Sequence, residues 1–194
     1  MNAGHFWPGW RGYNELNAKR VGLLKETLFG ALQIAVLLDA SNPANPSLMQ
    51  AMQTTAQQAR LTLHDSPVRG KSEFDGVFAL MRKKRVDAVV LAESPMTIAN
   101  TSTLAELTRR NKLPSIGFSE IAEAGGLISY GVRTLELWSR AAYFVHKVLK
   151  GSKPGDIPIE QPTKFELMVN QKTAAALGIK IPNSILLRAD KVIE

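Results

Sequence analysis

QIAVLLD, residues 33–39, followed by ASNPANP, residues 40–46, decides how this chain is read. Five consecutive apolar residues, Ile34 to Leu38, partly β-branched, stand between Gln33 and Asp39 with no polar alternation, which suits a short strand buried on both faces. The next seven are alanines, small polar residues and prolines, a turn that leads into a helix. A strand that ends in a polar turn and then a helix is half of a βα unit. The same unit recurs downstream. Strands are predicted over Leu61–Ser66, over Val86–Ala92 (VDAVVLA) and over Pro114–Phe118, with successive starts about 25 residues apart, the length of a strand, a helix and two short loops. Between them run helical stripes. Phe74, Val77, Phe78 and Met81 stand at i, i+3, i+4 and i+7 and form the best apolar face in the chain. Leu48, Met49, Met52, Ala56 and Ala59 form a weaker one, as do Ile98, Leu104, Ala105 and Leu107. Alternating βα units predict an α/β fold, with a Rossmann-like parallel sheet flanked by helices on both faces.

Outward toward the N-terminus, residues 1–13 contain two tryptophans, three glycines and a proline without periodicity, and an irregular lead-in is expected. A helix is predicted over 14–29 with Asn14 as its N-cap. Toward the C-terminus, Gly125-Gly126 breaks the pattern and a left-handed turn explains it. Leu127–Tyr130 reads as another strand. The segment Leu135–Lys150 reads as a helix with Trp138, Ala141, Ala142, Val145, Val148 and Leu149 on one face, stopped by Gly151. Phe165–Val169 reads as a strand and Gln171–Leu177 as a helix ended by Gly178. A final short helix capped by Asn183 is predicted to carry Ile185, Leu186, Ala189 and Val192.

Composition narrows the function classes. The chain has 194 residues, 45% hydrophobic and 21% charged, an ordinary balance for a globular protein. Its net charge of +7 comes from scattered cations. The densest run, Arg82-Lys83-Lys84-Arg85, closes a predicted helix, where cations complement the dipole, so no nucleic-acid partner is expected. The absence of cysteine excludes disulfides and thiolate sites. The opening MNAGHFWPGWRGYNELNAKR lacks the basic front and apolar middle of a signal peptide, and charges and glycines interrupt the apolar residues of 21–40, so no membrane span is expected. His5, His64 and His146 have no neighbours at metal-ligand or triad spacing. No phosphate loop, dinucleotide fingerprint or nucleophile elbow is present. Neither an enzyme nor a metal or cofactor is expected.

In parallel α/β sheets, ligands bind beyond the carboxyl ends of the strands. Three such ends are polar: Asp39 to Pro46, Glu93-Ser94-Pro95-Met96, and Ser119-Glu120. Together they suit a small polar or zwitterionic solute, with Asp39, Glu93 or Glu120 facing an ammonium group. The same residues are also ordinary helix caps. Convergence of all three on one edge is what favours binding.

Several stretches resemble the ABC transporter substrate-binding family of the aromatic-amino-acid, tryptophan-binding type. They are ELNAKR (15–20) with LLKE (23–26), QIAVLLDASNPANP (33–46), LPSIGFSEIAEAGGLISYG (113–131) and, over the longest run, residues 147–194. The resemblance implies a periplasmic-binding-protein-like type I fold of two Rossmann-like lobes closing over a solute. It implies a division into a lead-in and remnant of a first lobe (1–32), a complete second lobe (33–130) and a return segment of the first lobe (131–194). By position, the cleft side would be Asp39, Ser41, Asn42, Ser94, Pro95, Ser119 and Glu120, with Tyr130 at its border. The implied function is solute binding for ABC import, with an amino-acid-like solute and a transporter permease as partners, in the periplasm or otherwise outside the cytoplasm. Family members carry a signal peptide and first-lobe βα units ahead of the ELNAKR-like helix. The chain is therefore expected to be truncated at its N-terminus, and self-association through the apolar face of 135–150 is expected. A chain that truly starts at Met1 would be cytoplasmic, which suits the alternative of a ligand-sensing or assembly module with the same fold.

Overall fold

The computed structural model describes residues 9–158 and 164–194. The apolar run at its centre forms β1 (Gln33–Asp39), and every residue from Ile34 to Leu38 is buried. In chain order the elements are α1 (Gly9–Thr27), β1, α2 (Asn45–Gln58), β2 (Thr62–Val68), α3 (Phe74–Lys83), β3 (Ala88–Leu91), α4 (Pro95–Ala99), α5 (Thr101–Arg110), β4 (Ser115–Gly117), α6 (Glu120–Glu123), β5 (Ile128–Gly131), α7 (Thr134–Leu149), β6 (Glu166–Asn170), α8 (Gln171–Ala176), α9 (Asn183–Leu186) and β7 (Lys191–Ile193). The strands form one sheet in the order β2-β1-β3-β4-β5-β6-β7. Its first five strands are parallel, β6 runs antiparallel to β5, and β7 runs parallel to β6.

Both faces of the sheet are covered, which is why β1 shows no alternation. Ile34, Val36 and Leu38 pack with Val21 and Leu24 of α1 and with Leu48, Met52 and Ala56 of α2. Ala35 and Leu37 face the other way, onto Phe74, Phe78 and Met81 of α3 and Leu104 and Leu107 of α5. Each layer joins the sheet to helices at the period the sequence shows, two for the strand and 3.6 for the helices.

Two differences from the sequence reading have physical causes. First, α1 starts at Gly9, so Asn14 lies inside the helix and caps nothing. The extra turn is held because the Tyr13 hydroxyl donates to the Glu93 carbonyl and the Asn17 amide donates to the Tyr13 carbonyl. The reading of 1–13 as irregular fails for Gly9 to Tyr13, and residues 1–8 lie outside the described residues. Second, Asn183 opens α9 without capping it, and Val192 belongs to strand β7, not to a terminal helix. The Asp190 carboxylate, accepting from the Leu167 amide, ties the last strand to β6. β6 and β7 continue the sheet beyond β5, and Val21, Leu23 and Leu24 of α1 pack in the core on one of its faces. Helix α7 differs from the rest. Leu135, Trp138, Val145 and Leu149 on it are 58–81% exposed.

The Gly125-Gly126 pair turns the chain into β5. Gly125 has φ +106°, as expected of a left-handed turn. Gly126 is fixed by crowding: a Cβ there would stand 2.7 Å from Ile121 Cγ2 and 2.9 Å from the Ile121 carbonyl oxygen. That oxygen accepts the Gly126 amide at 2.8 Å and has no room to retreat. Gly126→Ala is expected to cost about 1–3 kcal/mol, as overpacking does, and urea denaturation at equilibrium checks it. An unchanged midpoint would show that the α6–β5 turn can relax.

Candidate functional site

The strand order places a crevice between β1 and β3. After β1 the chain turns to one face of the sheet to form α2, and after β3 it turns to the opposite face to form α5, as the two core layers show. Where the direction of winding reverses, the carboxyl ends of the two strands are left uncovered. A cleft of about 720 Å³ lies there, lined by Tyr13, Asp39, Ser41, Asn42, Glu93 and Ser94 together with Pro95, Met96 and Ile98.

The polar side of the cleft is built by local turns. The Asp39 carboxylate accepts the Ser41 amide at 2.9 Å and the Ser41 hydroxyl at 2.6 Å. The Ser41 hydroxyl bond is the main reason the Asp39 pKa lies below the usual aspartate value, with the Ser41 amide and Ser94 adding to it against a partial burial that opposes it. The Asn42 side chain accepts the Ala44 amide at 2.9 Å, and Asn45 donates back to the Asp39 carbonyl at 2.8 Å. Ser94 and Thr97 form a capping box at the start of α4, with Pro95 at its first turn. Ser94 therefore does cap a helix, whereas Asp39, Ser41 and Asn42 hold the turn ahead of α2, whose N-cap Ala44 has no side-chain bond, and all four line the cleft.

Behind this wall lies a buried charged group. Arg20 is fully buried. Its Nε donates to the Tyr130 carbonyl at 2.8 Å, one terminal nitrogen donates to Asn17 Oδ1 at 3.0 Å, and the other lies 3.3 Å from Glu93 Oε2. Burial lowers the Arg20 pKa, and the Glu93 carboxylate is the strongest pull the other way. Burial likewise pushes the Tyr13 phenol up to about 12, so it remains a donor to the Glu93 carbonyl at all ordinary pH. Gly131 leaves room for this group: a Cβ there would stand 3.1 Å from an Arg20 guanidinium nitrogen and 3.2 Å from Ser119 Oγ, and both would have to shift by a few tenths of an ångström.

The structure brings Asp39, Ser41, Asn42, Ser94 and Pro95 to the cleft wall. Ser119, Glu120 and Tyr130 do not line it. Ser119 is buried and its hydroxyl donates to the Val132 carbonyl at 2.6 Å. Glu120 turns one carboxylate oxygen inward, where it is buried without a hydrogen-bond partner and acts on Arg20 through its charge. The Tyr130 ring stacks on Phe165 with centroids 6.0 Å apart. All three support the Arg20 group and the end of β5. The sequence-based cleft set omits Tyr13, Glu93, Met96 and Ile98, although Glu93 stands in one of the polar strand ends. Tyr13, Asn17 and Arg20 fall at i, i+4 and i+7 of a helix otherwise anchored by Leu16, Val21 and Leu24, a polar seam that signals a buried network. Among the described residues no group of three or more His, Asp or Glu could hold a metal ion.

Residues 12–193 match the family model of the ABC transporter substrate binding protein. The chain belongs to that family. A curated relative, a tyrosine-binding protein of Clostridioides difficile (strain R20291), is 21% identical over 163 residues, covering 84% of this chain and 47% of the relative. The crystal structure of an ABC domain in complex with L-Trp from Streptococcus pneumoniae superposes with a TM-score of 0.82 at 26% identity, covering 92% of this chain and 62% of that one. A conserved domain protein from Vibrio cholerae superposes with a TM-score of 0.81 at 21% identity, covering 91% of this chain and 60% of that one, and shows the fold alone. The fold is that of the type I periplasmic binding proteins, and the family and the curated tyrosine-binding relative are binding proteins, not enzymes. The chain spans about half the length of the curated relative it matches. Among the described residues no helix is long and apolar enough to cross a membrane.

Proposed function

We propose that the crevice between β1 and β3 is one wall of a site for an amino-acid-like solute with an aromatic side chain, in a protein that delivers this solute to an ABC importer outside the cytoplasm. The observation that carries this reading is the composition of the cleft. The Asp39 carboxylate, held below its usual pKa, and Glu93 line the same cleft as Tyr13, Met96 and Ile98. An ammonium group suits the two carboxylates and a ring suits the apolar and aromatic residues. The second wall would face this one across the cleft, and the exposed row on α7 would pack within it or against a second copy of the chain. The solute, touching both walls, would favour the closed arrangement by its differential affinity.

Calorimetric titration with L-tryptophan, L-tyrosine and 3-indolepropionate, which lacks the ammonium group, tests this. Saturable binding of the amino acids and none of the indole acid is expected. Asp39→Asn keeps the acceptor oxygen for Ser41 and removes the charge, so it should weaken binding by about tenfold or more, as loss of a hydrogen bond to a charged group does. The pH dependence has a definite sign. Because the folded Asp39 pKa is lowered, affinity should hold as pH falls through the range where free aspartate protonates, and drop only below it. No heat with either amino acid, or Asp39→Asn binding as tightly as the parent, would sink the reading.

A further inference from the structure

The cations that look scattered in the sequence are gathered by the topology. The turns that open β2, β1, β3 and β4 lie in a row on the edge of the sheet opposite the cleft. Thr62 donates to the Leu32 carbonyl, Leu32 and Gln33 donate to the Asp87 carboxylate, Asp87 donates to the Gln33 carbonyl, and Val89 donates to the Pro114 carbonyl. Into this row project Arg60, the run Arg82 to Arg85, Arg109, Arg110 and Lys112, all exposed. Lys172 joins them at the end of antiparallel β6, where it shares with Arg109 and Lys112 a depression of about 390 Å³. Carboxylates on this side are engaged. Asp87 holds two backbone amides, Glu106 pairs with Arg109, Asp75 with Arg110 and Glu123 with Lys191.

A second, independent observation concerns backbone conformation. Among the described residues, three other than glycine have positive φ, namely Arg60 at 56°, Arg85 at 53° and Lys112 at 50°. Each closes the turn from a helix into the next strand on this edge, a position where glycine or asparagine is the unstrained choice. α3 and α5 already carry cations in their last turns, so Arg85 and Lys112 add charge to helix ends that are already complemented, while Arg60 stands just beyond α2, which carries none there. A left-handed residue and a positive charge coincide three times on the same edge. Between these cations Phe29 and Leu32 are 76% and 56% exposed. Lys25 fixes their turn by donating to the Phe29 and Ala31 carbonyls.

We infer that the edge of the sheet opposite the cleft is a docking surface for an anionic phospholipid bilayer, with Arg60, Arg85, Lys112 and Lys172 on the headgroups and Phe29 and Leu32 dipping into the interface. Exposed apolar side chains set among cations fit the boundary between headgroup and acyl chain, and they would be idle on a nucleic-acid backbone. In this orientation the cleft faces away from the lipid. The surface is remote from the solute site, so the two readings stand or fall separately.

Co-sedimentation of the chain with phosphatidylcholine vesicles, with and without phosphatidylglycerol, tests it. Partition onto the phosphatidylglycerol vesicles alone, lost at high salt, is expected. Each surface cation contributes about fivefold to such partition, so the combined variant Arg60→Asn, Arg85→Asn and Lys112→Asn should bind about a hundredfold more weakly. Asparagine tolerates the left-handed conformation, so the melting temperature of this variant should stay level or rise, which separates lost docking from lost folding. Phe29→Ser, with the charges intact, should weaken partition further. Equal partition onto both vesicle types, an unchanged triple variant, or Phe29→Ser binding like the parent would overturn the proposal. Retention on duplex DNA at a salt concentration that releases the vesicles would overturn it in favour of a nucleic-acid surface.

Discussion

Arg20→Ala is expected to lower stability by about 3–5 kcal/mol, the range for breaking a buried ion pair by removing one partner. At about 2–4 °C per kcal/mol for a domain of this size, the melting temperature should fall by roughly 6–20 °C. The loss has three parts. The Tyr130 carbonyl and Asn17 Oδ1 lose their donors. Glu93 loses its partner, and the inward oxygen of Glu120, already without a hydrogen bond, loses the positive charge beside it. Arg20→Lys should recover little, because one ammonium cannot reproduce the fork that serves three acceptors on α1, on the turn after β3 and on β5. A double-mutant cycle with Glu93→Gln isolates the pair. If the two substitutions are additive in thermal denaturation, the ion pair is not what holds α1 to the sheet.

Phe78→Ala should cost a similar amount, about 3–5 kcal/mol, by a different route. Phe78 is 1% exposed, in the layer that joins α3 to β1 and β3 alongside Phe74, Val77 and Met81. Deleting the ring leaves a void between a helix and a sheet that are both held by other contacts, so collapse around it is limited. Chemical denaturation is the measurement. A cost below about 1 kcal/mol would mean that α3 moves to fill the space. Phe78→Leu should recover much of the loss, which Arg20→Lys should not, because an apolar layer accepts a substitute of similar volume and a hydrogen-bonding fork does not.

These two residues also mark what the sequence discloses. Phe78 sits in a stripe with a period of 3.6 residues, and β1 is an unbroken apolar run with the bounds it has in the sheet. Such features depend on neighbours close in sequence. Arg20 depends on Glu93, 73 residues away, and on Tyr130, 110 residues away, and no local pattern announces a buried guanidinium. The direction of β6 was equally hidden, because a buried strand has the same composition whichever way it runs. β7 is only three residues long and half exposed, so Val192 passed for the end of a helical stripe. In the cleft, Asp39, Ser41, Asn42, Ser94 and Pro95 were legible because strand ends and prolines mark turns. Tyr13 was not, since it reaches the cleft from a helix whose start the sequence put one residue later. The cationic edge was visible only as separate helix ends until the strand order aligned them.

The antiparallel pairing of β5 with β6 has a mechanical consequence. The chain leaves the sheet at Gly131 and returns at Glu166, and these two residues are register partners. Arg133 and Glu166 lie within ion-pair distance there, and Tyr130 rests on Phe165. The excursion that carries α7 is therefore rooted at a single point, with its way out and its way back side by side. A loop closed by a ladder at its base can be lengthened, shortened or exchanged without shifting the strands that hold it. The sheet and the excursion are in this sense a socket and an arm, joined at the one rung where Gly131 faces Glu166.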